Sequence, residues 1–421
     1  MRRRWLVIVL GIVSLGIVAA IVVSVSSNNS TTPTTTAPTT PPPTSSTAPV
    51  AAGYLHTSGT RIVDSSGATV QLTGFNVSGM ETGNVDGSNV PGACNHAWRP
   101  LTPAEVSEIA GYGFGSVRLP VAWSNLEPTA PTANADGTLT HHWNDPYVAA
   151  LDQEISQLGA ANIRVVLDMH QSTWGPAFVT PPTSKQPGCP GAGMPAWLNP
   201  NAASETPQSA QCAFLSGTTE SGVPGTAWSD FAAAEAYLDG HFAGNSTVVG
   251  QDVINEPYCA RASANLTGFY AAVVPQLHTA NPDLLFMLED RETPGSFHLH
   301  SLPDVPNVVL SVHLHEDYWT TPGPGQTTLP VSGEQAMTAS YQRAVQWNVP
   351  LWVGEFYAFD AIGNQNGNKQ PDANWTADTA SALTYFRQNA IGWAYWSWIQ
   401  KKNPASQPEI TPALLTALQQ G

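Results

Sequence analysis

Residues 248–257 read Val-Val-Gly-Gln-Asp-Val-Ile-Asn-Glu-Pro, and residues 350–356 read Pro-Leu-Trp-Val-Gly-Glu-Phe. Each segment carries an apolar run up to a glutamate, which is Glu256 in the first and Glu355 in the second. Such a run predicts a β-strand that delivers its carboxylate to a loop. Two of these strands in one chain predict a barrel with paired acids at one rim.

Six further apolar segments of strand length alternate with helical patterns along the chain. The first of these strands is predicted to end at residues 74–76, and the others span residues 115–119, 163–168, 284–288, 308–312 and 390–395. The fourth and seventh strands of the eight are predicted to end at Glu256 and Glu355. Eight short strands alternating with helices favour parallel pairing with right-handed crossovers, and therefore an α/β fold of the (β/α)8 TIM barrel class. A doubly wound open sheet is the alternative, but it requires a glycine-rich phosphate loop after strand one. The chain has Gly74-Phe75-Asn76 there.

The first 52 residues differ in composition from the rest. Three arginines precede an apolar run from Trp5 to Val25, so residues 1–25 are predicted to be a signal peptide or an uncleaved signal anchor that tethers the chain to a membrane through residues 5–25. Residues 26–52 are rich in Ser, Thr and Pro and predict a disordered linker. We therefore expect an exported protein, secreted or anchored at the outer face of the cell membrane, with residues 53–421 as its barrel domain.

The charge of the chain narrows the choice of partners. It has 15 Lys and Arg against 31 Asp and Glu, which gives a net charge of −16. Because an acidic chain repels phosphate backbones, nucleic acid is excluded as a partner. A neutral substrate such as a sugar remains compatible, and we expect a monomer.

Four cysteines, Cys94, Cys189, Cys212 and Cys259, lie in loop-like sequence without the paired spacing of a zinc site. An even number in an exported chain predicts two disulfides, for which three pairings are possible. The pairing Cys189–Cys212 is favoured because it would staple one long insertion, and a structural zinc site is the minor alternative.

Polar side chains gather at the predicted carboxyl ends of the strands, which in a barrel share one rim. Packing alone does not account for them, because a buried charge is costly unless it is paired. They are Asn76, Arg118, Asp168, His170, Asn255, Glu256, Glu289, Asp290, His313, His315, Glu355 and Trp396.

Two facing glutamates on strands four and seven match the requirement of glycoside hydrolysis for an acid and a second carboxylate. Asn255 beside Glu256 suits a proton donor, since it can bind the sugar hydroxyl next to the reacting carbon. Arg118 would keep Glu355 ionised, which suits a nucleophile. The alternatives are that the glutamates are structural ion-pair partners, or that the barrel binds sugar without cleaving it.

The His-x-His pair at His313 and His315 raises the possibility of a metal-dependent hydrolase. Barrels of that kind carry this motif at strand one, where the chain has Phe75-Asn76-Val77. We therefore predict no metal and no cofactor.

With these motifs in order, residues from about 54 to 421 resemble glycoside hydrolase family 5, a cellulase-like family of the retaining clan A. The matching motifs are Gly74-Phe75-Asn76, Val117-Arg118-Leu119-Pro120 with Trp123, Leu167-Asp168-Met169-His170-Gln171, Ile254-Asn255-Glu256-Pro257, Val312-His313, Trp352-Val353-Gly354-Glu355-Phe356 and Trp393-Ala394-Tyr395-Trp396. The motif Asp168-Met169-His170-Gln171 is also similar to the endoglycoceramidase-like branch.

The resemblance implies the roles of the individual residues. Glu256 would be the acid/base and Glu355 the nucleophile, and the sugar-binding and supporting residues would be Arg118, His170, Asn255, His313 and Trp396. The family has a His-x-Tyr at the end of strand six whose hydroxyl contacts the nucleophile, and either Tyr318 or His315 takes that place here.

The resemblance also implies the reaction, the retaining hydrolysis of a β-linked carbohydrate. An endo-β-1,4-glucan such as cellulose is the first expected substrate, followed by glycolipids and mannosides.

Overall fold

A computed structural model describes residues 53–81, 98, 100–171, 174–178, 193–219, 226–259, 265–290, 298–314, 333–356, 375–399 and 410–420. All of these residues lie in one compact unit. The predicted signal or anchor, the linker, His315 and Tyr318 fall outside the described residues. Within the described ranges, no helix is long and apolar enough to cross a membrane.

Strands and helices follow one another in nearly regular alternation. The strands are β1 (His56–Ser58), β2 (Arg61–Val63), β3 (Thr73–Ser78), β4 (Ser116–Val121), β5 (Thr132–Ala133), β6 (Leu139–Thr140), β7 (Arg164–Met169), β8 (Val248–Asp252), β9 (Leu285–Glu289), β10 (Val308–Leu314), β11 (Leu351–Phe356) and β12 (Gly392–Ile399). The helices are α1 (Pro103–Gly111), α2 (Trp123–Leu126), α3 (Asp145–Ala160), α4 (Pro207–Leu215), α5 (Ala227–His241), α6 (Leu266–Ala280), α7 (Gly333–Trp347), α8 (Trp375–Gln388) and α9 (Pro412–Gln419).

Eight of the strands close into a parallel barrel in the order β3-β4-β7-β8-β9-β10-β11-β12, with β12 returning to β3. The predicted (β/α)8 fold is therefore confirmed. The apolar strand runs bury both faces, because the barrel interior covers one and the helices cover the other.

The fourth barrel strand is shorter than the sequence predicts. Its ladder ends at Asp252, which pairs with Asp168 of β7 and Met287 of β9. Glu256 follows four residues later in a left-handed backbone conformation with φ +44°. The apolar run misled the prediction because Val253 and Ile254 are fully buried although they lie beyond the strand.

The hairpin of β1 and β2 closes the bottom of the barrel. Leu55, Ile62 and Leu72 pack there against inward-pointing strand residues such as Val249 and Trp352. This apolar layer fills the lower part of the interior, and the candidate site residues lie at the opposite rim.

The predicted pairing of Cys189 with Cys212 is wrong, since Cys212 of α4 is bonded to Cys259. The predicted zinc alternative is wrong for these two residues for the same reason. Helix α4 lies beside the loop that follows β8, and Leu215 of this helix accepts a hydrogen bond from the backbone of Asn265. This packing brings two cysteines 47 residues apart in sequence together, whereas Cys94 and Cys189 lie outside the described residues.

Candidate active site

A layer of polar side chains lies on the rim side of the apolar layer, and Arg118 is at its centre. Nε of Arg118 donates to Asp252 over 2.9 Å and Nη1 donates to Glu355 over 2.7 Å. Nη2 donates to Glu289 over 3.3 Å and lies 3.0 Å from Asp168. Burial opposes the charge, but these four carboxylates outweigh it and raise the pKa of Arg118 above its ordinary value. One cation thus ties together five strands of the barrel.

Glu355 reaches this layer because β11 carries a bulge. Val353 pairs with Val312 and Glu355 pairs with His313, so Gly354 is an extra residue in the ladder. A Cβ on Gly354 would lie only 3.1 Å from the His313 ring, which explains why a glycine precedes the glutamate. The Gly354 carbonyl oxygen accepts a hydrogen bond from Asn76, which holds the bulge in place.

Burial is the largest influence on Glu355 and raises the pKa of its carboxyl, while His313 and Arg118 oppose that rise. Only 4% of its side chain is exposed. The two cations therefore favour the ionised carboxylate that burial penalises.

Glu256 is held by its backbone while its carboxyl group stays partly accessible. Its N–H donates to Glu289 over 3.0 Å, and its carbonyl oxygen accepts hydrogen bonds from Gln171 and Gln211. Its side chain is 27% exposed, and Oε1 lies 3.1 Å from Nδ1 of His313.

The two glutamates meet at one point of the rim. An oxygen of Glu256, a ring nitrogen of His313 and an oxygen of Glu355 all lie within 4.8 Å of one another. Retaining glycosidases place their carboxyl groups about 5–5.5 Å apart, whereas inverting enzymes separate them by about 6.5–9.5 Å to admit a water molecule. The observed approach falls on the retaining side of this division.

His313 lies between the two acids, and its ring is fully buried. Its Nε2 is 2.9 Å from Glu289, and its Nδ1 is 3.7 Å from Glu355 in addition to its contact with Glu256. Burial lowers the pKa of His313, but the charges of Glu289 and Glu355 and the hydrogen bond to Glu256 raise it well above the ordinary histidine value. The surrounding acids therefore favour the imidazolium form of His313.

His170 and Trp396 form one wall of the site. The rings stack with centroids 5.5 Å apart, and Nδ1 of His170 lies 2.7 Å from Asp168. Burial opposes protonation of this histidine, but Asp168 outweighs it and raises the pKa of His170 to about 8. Trp396 is only half-buried, so it presents an aromatic edge or face to the rim.

Asn255 joins the layer to the loop that carries Glu256. Its Oδ1 accepts from Arg118 over 2.9 Å, and its Nδ2 donates to the Gln171 carbonyl over 3.0 Å. An amide nitrogen has two N–H groups, and among the described residues one of them has an acceptor.

The structure brings together all but one of the predicted site residues. The residues that lie together at the rim are Glu256, Glu355, Arg118, His170, Asn255, His313 and Trp396. The remaining one, Tyr318, and its alternative His315 lie outside the described residues. Glu289 forms an ion pair with Arg118, while Asp290 accepts from the backbone N–H groups of residues 298 and 299.

Sequence reasoning missed two further contributors. Asp252 stands inside a run that reads as apolar, and its charge was the only signal that it points into the barrel. Gln211 belongs to the long insertion after β7, where the sequence carries no signal that it reaches Glu256.

Two groups in the described part of the chain have donor atoms close enough for a metal ion, namely Asp252, Glu289 and His313, and Glu256, His313 and Glu355. The Arg118 guanidinium lies within 3.3 Å of a carboxylate in each group. A cation there disfavours a second cation by Coulomb repulsion. The absence of a catalytic metal stays a prediction.

Comparison with known proteins gives a family and several relatives. The family model described as Cellulase (glycosyl hydrolase family 5) matches residues 63–402. The chain is 31% identical to the major extracellular endoglucanase of Xanthomonas campestris pv. campestris over 121 residues, which are 28% of this chain and 24% of that protein. It is 24% identical to an endoglucanase of Paenibacillus polymyxa over 383 residues, with 82% of this chain and 79% of that protein covered.

A solved structure extends the comparison. The crystal structure of an endogalactoceramidase superposes with a TM-score of 0.63 and 26% identity, covering 83% of this chain and 75% of the other. The fold is thus shared with a solved protein whose name differs from that of the two endoglucanases.

Proposed function

The chain belongs to glycosyl hydrolase family 5, and on that premise we propose that it is a retaining β-glycosidase with Glu355 as nucleophile and Glu256 as acid and base. Family membership makes the protein a glycoside hydrolase. The observation that carries the proposal is that an oxygen of Glu256 and an oxygen of Glu355 lie within 4.8 Å of each other, since inverting enzymes hold their carboxyl groups further apart to admit a water molecule.

In the first step Glu256 donates its proton to the glycosidic oxygen as the bond to the anomeric carbon breaks. Glu355 attacks that carbon from the opposite face, and a covalent glycosyl-enzyme ester forms. The partly exposed carboxyl of Glu256 suits contact with a leaving group, and the buried one of Glu355 suits a fixed nucleophile.

In the second step Glu256, now a carboxylate, takes a proton from water. The water attacks the anomeric carbon and releases Glu355, so the product has the configuration of the substrate.

The surrounding residues position this pair. Arg118 directs a hydrogen-bond donor at Oε1 of Glu355 and so favours the ionised nucleophile. His313 contacts both acids and fixes their separation. The second N–H of Asn255 and the half-buried ring of Trp396 supply a hydrogen bond and an aromatic surface for a sugar.

The proposed substrate is a β-1,4-glucan, cleaved internally. The names of the Xanthomonas and Paenibacillus relatives, both endoglucanases, favour this class. The endogalactoceramidase favours a glycolipid as the second candidate, and a mannan-active enzyme is the third. The extracellular relative also supports export, with residues 1–25 as signal or anchor, 26–52 as linker and 53–421 as the catalytic domain.

The decisive experiment incubates the full chain with β-1,4-glucan, β-mannan and a glycosphingolipid and measures the reducing ends released. Proton NMR of the first product then reports its anomeric configuration. We expect release from glucan with the β-anomer formed first, and none from a Glu355→Gln variant. An α-anomer would overturn the mechanism, and binding without release would support a non-catalytic sugar-binding barrel.

A further inference from the structure

The backbone at Glu256 is strained and must be held by its neighbours. Its φ of +44° lies in the left-handed region, which a residue with a Cβ rarely adopts without compensation. The compensation comes from its carbonyl oxygen, which accepts hydrogen bonds from Gln211 over 2.9 Å, from Gln171 over 3.1 Å and from the Tyr258 backbone over 2.6 Å.

One of these donors lies outside the barrel. Gln211 is a residue of α4, which belongs to the insertion between β7 and α5. The helix begins with a capping box of Thr206 and Ser209, which fixes its start independently of the site. The Gln211 side chain is 92% buried and touches the carbonyl of Glu256 rather than its carboxyl group.

The next residue of the same helix adds a covalent attachment to the same loop. Cys212 is bonded to Cys259, which lies three residues beyond Glu256. Two adjacent residues of α4 therefore attach to the loop that carries Glu256. Gln211 donates a hydrogen bond to Glu256 itself, and Cys212 forms a disulfide with Cys259 further along the loop. Both sulfur-bearing residues are buried, which keeps this attachment away from solvent.

We propose that Gln211 is a positioning residue for Glu256 and that the Cys212–Cys259 disulfide holds α4 in place for this role. The inference rests on the proposed function of Glu256 as the acid and base. Gln211 sets the direction of the Glu256 carbonyl, and through the shared Cα it sets where the carboxyl group points.

The consequence is a selective defect when the amide is removed. A poor leaving group needs a proton in the first step, whereas a good one departs without it. A neutral hydrogen bond that does not touch the reacting atoms is worth about tenfold in rate, so we expect Gln211→Met to lower kcat/KM for phenyl β-cellobioside by about that factor. The value for dinitrophenyl β-cellobioside is expected to change less than about twofold, because kcat/KM reports the first step alone.

Methionine is chosen because it keeps the length and helix propensity of glutamine and removes the side-chain amide. The matched control is Gln71→Met, since Gln71 also donates to a backbone carbonyl, that of Ile391, on the opposite side of the barrel from the rim. A merely structural role for Gln211 predicts equal losses on both substrates, and that result would overturn the proposal. The control is expected to show no difference between the two leaving groups.

A second readout separates this proposal from the proposed function. If wild type cleaves neither cellobioside, the assay moves to the same pair of lactosides and mannobiosides, and a lack of cleavage of all of them overturns the proposed function. Crystal structures of wild type and Gln211→Met then decide the positioning role without turnover. We expect the backbone at Glu256 to leave its left-handed conformation in the variant, so that its carbonyl oxygen changes direction. An unchanged backbone at Glu256 would refute the role of Gln211.

Discussion

Nη1 of Arg118 donates a 2.7 Å hydrogen bond to Oε1 of Glu355, and 4% or less of either side chain is exposed. The same guanidinium contacts Asp168, Asp252 and Glu289. Arg118 therefore has two tasks, which are to hold the charge of the proposed nucleophile and to offset the burial of three further acids.

Substitution of Arg118 by lysine tests both tasks. Lysine keeps one positive charge but lacks the planar fork that reaches several acceptors at once. We expect Arg118→Lys to lower kcat by about 10²-fold, as loss of one preorganised donor does elsewhere, and to lower the free energy of unfolding by about 3 kcal/mol. The control is Arg164→Lys, which changes the buried first residue of β7 at the far end of the barrel. An equal loss of kcat in the control would assign the effect of Arg118 to stability alone.

The acid limb of the pH profile reports Glu355. Burial raises its carboxyl pKa, and only the ionised form attacks, so activity falls as the pH falls through a value above that of an ordinary glutamate. His313 lowers this pKa, hence the acid limb of kcat/KM in His313→Asn is expected at higher pH than in wild type. His141→Asn, a change outside the site, is the control. A shift toward lower pH in His313→Asn would contradict the prediction.

The role of Glu256 predicts a dependence on the leaving group. In Glu256→Gln the first step has no proton donor, so kcat/KM for phenyl β-cellobioside is expected to fall by about 10²–10⁴-fold while that for dinitrophenyl β-cellobioside changes little. Turnover of the activated substrate then stalls at the glycosyl-enzyme, and added azide is expected to restore it by attacking without a base. Equal losses on both substrates, with no effect of azide, would remove Glu256 from this role.

The barrel could be predicted from sequence because each strand is a local apolar run, and most candidate site residues stand within or just after the last part of such a run. Glu256, Glu355 and Arg118 were all found in this way. Asp252 was not, because a single acid inside an apolar run does not indicate which way it points. Its position became evident only when β4 placed Arg118 2.9 Å away.

Contacts between distant segments lay beyond this reasoning. Cys212 and Cys259 are separated by α5 and β8, and no local sequence pattern around either cysteine indicates that α4 packs beside the Glu256 loop. Gln211 shares that origin, since its partner is a backbone carbonyl 45 residues away. Such contacts depend on how the insertion packs, and the spacing of motifs does not encode that packing.

Removal of the disulfide measures what that packing contributes. Closing a loop of 47 residues restricts the unfolded chain by about 4 kcal/mol in the chain-entropy account. We expect the Cys212→Ser/Cys259→Ser double variant to melt about 5 °C below wild type, given the entropy of unfolding of a domain of this size. Calorimetry under non-reducing conditions measures this, and the same two proteins compared in excess reductant should no longer differ. A difference that persists in reductant would show that the serines, not the lost bond, destabilise the fold.

A buried acid on α5 predicts how stability changes with pH. Asp239 is fully buried, and neither of its carboxyl oxygens has a hydrogen-bond partner among the described residues. Burial raises its pKa well above the ordinary value of 3.8, so the folded protein keeps a proton that the unfolded chain has lost. Stability is therefore highest below the ordinary aspartate pKa and decreases as the pH rises toward the raised value.

The Asp239→Asn variant removes this titration while keeping the shape of the side chain. Urea unfolding at about pH 5 and about pH 8 is expected to show a smaller loss of free energy in the variant than in wild type, because one proton less is released on unfolding. Asp136→Asn is the control, since Asp136 is exposed and its bond to Thr138 lowers its pKa; its stabilisation is lost only when the pH falls into the acid range, so it leaves this interval unchanged. If the free energy of unfolding changes with pH equally in Asp239→Asn and in wild type, the prediction is wrong. Asp239 is then ionised in the folded protein, and another group compensates its charge.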